Sequence, residues 1–179
     1  SKPIPSDRLI VGDVAFGKTE IILRAVFLAS KSKIQSLILV PTTLLSRQHF
    51  TNFTNRLSPF GINVCEISRL INSKTKKKIY HSLKNGTIDV IIGTHALFSN
   101  KISFKKLGLI IYDEEQKLGT IQKEKFKSLS PRAHVISLSA TPIPRTLSLS
   151  LAGIRDLSLI LTAPYERLSV RSFITPFNE

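Results

Sequence analysis

The chain has 179 residues, 42% of them hydrophobic, enough for one domain with a substantial core. No apolar run approaches the roughly 20 residues of a membrane span, and the first residues lack the apolar stretch of a secretory signal, so a cytoplasmic protein without a membrane partner is expected. Cys65 is the only cysteine, which excludes an intrachain disulfide framework; lying in the apolar stretch 62–67, it is expected to be a buried small hydrophobe. Twenty-six basic residues stand against 12 acidic ones, a net charge of +14. Such an excess points to a polyanionic partner, nucleic acid first, with solubility alone as the plain alternative. The KTKKK run at 74–78 reads as a solvated helix face.

In chain order, 8–11 reads as a short buried strand. A glycine-bearing loop follows, then a mostly apolar helix from 20 to 29. A second strand is expected at 36–40 and a helix at 43–57, stopped by the Ser-Pro-Phe-Gly sequence at 58–61. Strand 62–67, helix 73–84, an Asn-Gly turn at 85–86, and strands 89–93, 109–112 and 135–138 follow. A helix at about 144–152 and a seventh strand at 157–161 complete the pattern. Continuous apolar strands separated by helices indicate an α/β fold with a mainly parallel sheet covered on both faces. Right-handed crossovers then bring the loops after the strands to one rim, the carboxyl ends.

Two of those loops carry chemistry. Residues 12–19, GDVAFGKT, match G-x-x-x-x-G-K-[ST] and lie between a strand and a helix, the context the pattern requires. In such a loop backbone N–H groups face a nucleotide phosphate, Lys18 reaches the β/γ oxygens, and the Thr19 hydroxyl can ligate Mg²⁺. The helix N-terminus adds partial positive charge. The second loop, Asp113-Glu114-Glu115-Gln116, emerges directly from the strand 109–112. An acid there can hold the Mg²⁺ shell (Asp113), and the next one can orient and deprotonate a water (Glu114). A third, weaker element follows strand 135–138, where Ser139 and Thr141 could link the nucleotide site to a second surface. The four histidines, His49, His81, His95 and His134, show no metal-ligand spacing.

In combination, GDVAFGKT at 12–19, DEEQ at 113–116 and SAT at 139–141 resemble motifs I, II and III of superfamily 2 helicases and translocases. PTTLL at 41–45 and GTH at 93–95 are similar to motifs Ia and Ib. Longer strings around these motifs are similar to two families, the bacterial transcription-repair-coupling factors and the RecG branch-migration helicases. Phe16, Glu20, the doubled acid at 114–115 and AGIRDLS at 152–158 look like the former. The resemblance implies a three-layer RecA-like P-loop NTPase domain over 1–163, incomplete at its N-terminus, with 164–179 connecting toward a second RecA-like domain. It implies an ATP-driven motor on double-stranded DNA that displaces stalled RNA polymerase and engages excision-repair proteins through other domains.

By motif position, ATP and Mg²⁺ are implied to lie against Gly12, Asp13, Val14, Ala15, Phe16, Gly17, Lys18, Thr19 and Glu20. Asp113 and Thr19 would serve the metal, and Glu114 and Lys18 catalysis. Gln116, Ser139 and Thr141 would couple the sites. Thr42, Thr43, Arg47, Thr94 and His95 would line the DNA path through phosphates, which gives grip without sequence preference. Two positions depart from the family pattern: Ala15 stands where these relatives usually carry Gly, and Gln116 where His is frequent. A RecG-type fork-regression helicase and a non-catalytic DNA-binding remnant remain as alternatives, and without the second lobe the chain alone is expected to hydrolyse little.

Overall fold

The apolar runs of the sequence pair edge to edge into one seven-stranded, wholly parallel sheet. The computed structural model describes residues 5–119, 124, 126, 128–140 and 155–164. The strands are β1 (Asp7–Gly12), β2 (Gln35–Leu39), β3 (Val64–Ile67), β4 (Val90–Gly93), β5 (Leu107–Tyr112), β6 (His134–Ser139) and β7 (Asp156–Ile160). The helices are α1 (Lys18–Lys31), α2 (Thr43–Leu57) and α3 (Ser73–Asn85). The sheet order is β3-β4-β2-β5-β6-β1-β7. All seven expected strands and the first three helices form, most with ends moved by one or two residues. The helix expected at 144–152 lies outside the described residues.

Handedness explains the layers. From β1 the chain moves along the sheet toward β2 and then β3; from β3 it turns back through β4, β5 and β6. With right-handed crossovers, reversing direction puts the connecting helices on opposite faces. One core therefore lies under α1 and α2, built from Ile22, Leu23, Val26, Phe53 and Leu57 against Ile10, Ile38, Ile92 and Ile111. The other lies under α3, where Ile79 and Leu83 meet Leu37, Ile67, Ile91 and Ile110, with Leu97, Tyr112 and Phe126 beside them. Every residue of β2 and β4 is buried, which is why 37–39 and 90–92 read as unbroken apolar runs rather than as alternating ones.

Local chemistry sets the element ends. Thr42 caps α2, its hydroxyl accepting from the Leu45 N–H at 3.2 Å, and Asn72 caps α3 through the Thr75 N–H at 2.8 Å. The exposed lysines of α3 lie opposite its buried Ile79 and Leu83. Cys65 corrects the sequence expectation: on β3, at the sheet edge, it is half-buried rather than fully buried, and burial pushes its thiol pKa up.

At Gly93, the end of β4, a Cβ would stand 2.4 Å from the Ile67 carbonyl oxygen and 3.0 Å from Leu97 Cγ. The backbone of β3 and the turn after β4 close over that point only because no side chain is there. Gly93→Ala should therefore destabilise the chain by about 1–3 kcal/mol, as overpacked sites do, measured as a lower urea midpoint with an unchanged slope.

Candidate active site

β1 ends at Gly12, and the chain turns through 13–17 into α1. Gly17, at the N-cap, has φ 77°, a left-handed conformation glycine adopts freely, and no side chain caps the helix. The Phe16 N–H donates to the Asp13 carbonyl at 3.2 Å, and the Val14 N–H to Asp13 Oδ1 at 2.7 Å. Lys18 Nζ curls back over the loop and donates to the carbonyls of Gly12 at 2.6 Å and Asp13 at 2.8 Å. The result is a short concave loop with an ammonium group across it and the positive end of a 14-residue helix behind it, an arrangement built to attract an anion. Ala15 has φ 62°, so this position of the loop demands the left-handed region.

The acidic turn leaves the sheet two strands away, after β5. Asp113 is buried. Its N–H donates to the Leu39 carbonyl at 2.9 Å, and its Oδ2 lies 2.8 Å from His49 Nε2, a buried side chain of α2. Glu114 adopts φ 56°, and the Gln116 amide donates to Glu114 Oε2 at 2.5 Å. Ser139, at the end of β6, donates to Gln116 Oε1 at 3.3 Å. Ser139, Gln116 and Glu114 thus form one chain of hydrogen bonds. Glu115 turns inward instead, onto Arg155 at 2.8 Å. Thr141 lies outside the described residues.

Among the described residues, no group of three His, Cys, Asp or Glu could hold a metal unaided. Mg²⁺ needs less: it is commonly held by one or two protein oxygens while phosphates and water supply the rest. A buried carboxylate at 113 and a hydroxyl at 19 fit that donor set.

A second cleft of about 380 Å³ opens beside this site, lined by Pro41, Thr42, Thr43, Arg69, Thr94 and His95. Four of the five residues expected on a DNA path meet there. Arg47 does not line it; its guanidinium pairs with Glu66 at 3.2 Å and stacks over Phe50. Arg69, just beyond β3, lines the cleft in its place. It had no motif to announce it, as His49 had none.

Glu20 also points elsewhere. Its carboxylate takes hydrogen bonds from Arg56 of α2 and from Arg24 at 2.9 Å, and the Arg56 bond chiefly, with Arg24, holds its pKa down to about 2.

A P-loop, a strand-end acidic turn and a hydroxyl after the next strand, all on one rim of a parallel sheet, define a RecA-like helicase domain. The chain belongs to the DEAD/DEAH box helicase family, whose match covers residues 3–149. It is 48% identical over 178 residues to the transcription-repair-coupling factor of Buchnera aphidicola, covering 99% of this chain and 22% of that protein. Against the transcription-repair-coupling factor of Escherichia coli K12 the identity is 44%, over 99% of this chain and 15% of the relative. The chain therefore spans less than a quarter of these relatives' length. Among solved structures, RecG bound to a three-way DNA junction is similar with TM-score 0.76 and 35% identity, over 93% of this chain and 22% of that one. The helicase domain of Pyrococcus furiosus Hef shares the fold at TM-score 0.66 and 21% identity, over 88% of this chain and 35% of that one.

Two predictions follow from these geometries. Ala15→Gly removes a left-handed alanine that costs about 1–2 kcal/mol, less about 0.4–1 kcal/mol of added unfolded-state entropy; the variant should melt slightly higher than the parent in calorimetry. Glu20 has a folded pKa of about 2 against an ordinary 4.5. The stability it contributes is complete above pH 4.5 and is lost as pH falls toward 2. Denaturant titrations should show Glu20→Gln less stable than the parent at pH 7, with the gap closing across that window and shrinking in 1 M salt, since the pair is exposed.

Proposed function

We propose that this chain is the first motor lobe of an ATP-driven translocase on double-stranded DNA. The observation that carries the reading is the hydrogen-bonded line from Ser139 through Gln116 to Glu114, placed on the same rim as a complete phosphate loop. In this reading the loop from Gly12 to Thr19 holds the triphosphate, and Lys18 leaves its carbonyl partners for the β/γ oxygens. Thr19 and Asp113 would hold Mg²⁺, whose charge would offset that of the phosphates. The Glu114 carboxylate takes the proton of the attacking water. Gln116, donating to Glu114 in the structure, keeps that carboxylate in place, and its carbonyl side reports to Ser139. Thr42, Thr43, Arg69, Thr94 and His95 grip phosphates of the duplex without reading bases, as a motor that must move requires.

The relatives' name supports a role in coupling transcription to repair. On that reading the whole protein displaces stalled RNA polymerase, recruits excision-repair proteins through other domains, and closes a second RecA-like lobe, reached through 164–179, over the ATP. Arginine fingers from such a lobe are worth about 10³- to 10⁵-fold in related NTPases, so the isolated chain should turn over ATP slowly. The structural likeness to RecG favours a second reading, branch migration at forks; flanking modules for polymerase or for fork DNA separate the two.

In the intact protein, Lys18→Ala should lower duplex-stimulated ATP hydrolysis by about 10²-fold or more, the scale of losing a preorganised charge at the phosphates. Phosphate release assays with and without duplex DNA measure it, and a Lys18→Ala protein hydrolysing ATP at the normal rate would end the proposal.

A further inference from the structure

Two features of the sequence, the doubled acid at 114–115 and the string at 152–158, lie far apart in the chain and prove to be the two ends of one ion pair. Arg155 precedes β7, and its side chain is only 12% exposed. Its Nη1 donates to both carboxylate oxygens of Glu115, at 2.9 and 2.8 Å. Its Nε donates to Asp7 Oδ1 at 2.7 Å, and its Nη2 to the Ser137 hydroxyl. One guanidinium therefore joins the acidic turn to the first residue of β1, to the middle of β6 and to the start of β7.

The position of Glu114 explains why such a tie is needed. A non-glycine residue at φ 56° is strained and persists only where its surroundings over-determine it. On its N-terminal side, Asp113 is fixed by the Leu39 carbonyl and by His49. On its C-terminal side the chain is held by Glu115, buried to 8% exposure, and by the short 3₁₀ turn Glu115–Lys117. If Glu115 were released, Glu114 could relax to an ordinary φ, and its carboxylate would swing away from Gln116.

We infer that Arg155 is the positioning residue of this turn: by clamping Glu115 it holds Glu114 in the left-handed conformation that aims its carboxylate, and it ties that aim to β7. β7 pairs with β1 from Arg8↔Asp156 to Gly12↔Ile160, so a displacement of β7 bears on the phosphate loop and on the acidic turn together. The inference rests on the proposed ATPase role of Glu114. Arg155 bears on Glu114 through Glu115.

Removing one partner of a buried pair strands the other's charge and can unfold the protein, so the test uses Arg155→Lys, Arg155→Gln, Glu115→Gln and the charge-balanced double variant Glu115→Gln/Arg155→Gln, each in the intact protein and each checked by thermal melting. Arg155→Lys keeps the charge and loses the planar fork. It should lower kcat of duplex-stimulated ATP hydrolysis about 10- to 100-fold, the scale of a misplaced catalytic group, while a fluorescent ATP analogue binds within about twofold of normal, with Mg²⁺ and without it. Glu115→Gln should behave alike, and the double variant should be no slower than the worse single one, because both break the same contact. A folded Arg155→Lys protein with normal kcat overturns the inference, as do additive losses or a parallel loss of nucleotide binding. An unmutated protein without ATPase activity would instead overturn the functional reading, and this inference with it.

Discussion

The structure depends on one constraint, the right-handedness of its parallel crossovers. Because right-handed crossovers put the helices of the outward run, β1 to β3, and of the return run on opposite faces, the returning strands β5 and β6 can insert between β2 and β1, and the carboxyl ends of β1, β6 and β5 lie side by side. The phosphate loop follows β1, the acidic turn follows β5 and the Ser139 hydroxyl ends β6. Three segments spread from residue 12 to residue 139 thus share one rim.

The same geometry decides which parts of the site were legible in the sequence. GDVAFGKT was readable because its function is backbone conformation, and backbone conformation restricts residue type locally: Gly17 at φ 77° tolerates little else. DEEQ was readable because an acid directly after a buried apolar strand is conspicuous. The strands were readable because burial on both faces leaves mainly apolar residues. Gln35 shows the limit. It begins β2 although strand 2 is expected from 36, because its buried side chain supplies the hydrogen bonds that flanking segments lack, donating to the Leu83 and Ile88 carbonyls and accepting from the N–H groups of Lys105 and Lys106. Those partners lie up to 71 residues away, and no local pattern encodes them.

Arg47 and Arg69 make the same point for the cleft. Both are exposed cations near the carboxyl rim, and Arg47 carried the motif position. Which one lines the cleft is set by Glu66, at the inner part of β3, which holds Arg47 at 3.2 Å and leaves Arg69 to face Thr94 and His95. A charge that already has a carboxylate partner is a poorer phosphate ligand than one beside hydroxyls, because releasing it breaks a pair first. The family resemblance supplied the position; the pairing, a tertiary fact, decides which arginine lines the cleft.

His49 carries the argument one step further. In the sequence it belongs to no motif and has no metal-ligand spacing to another histidine. Its work is different: from the second turn of α2 it holds the buried Asp113 at 2.8 Å, while Thr42 caps the same helix at the edge of the cleft. α2 is 15 residues of regular hydrogen bonding, with Phe53 packed edge-on against the His49 ring and fully buried. The cleft and the acidic turn are therefore both contacted by one helix, through two polar contacts each local at its own end.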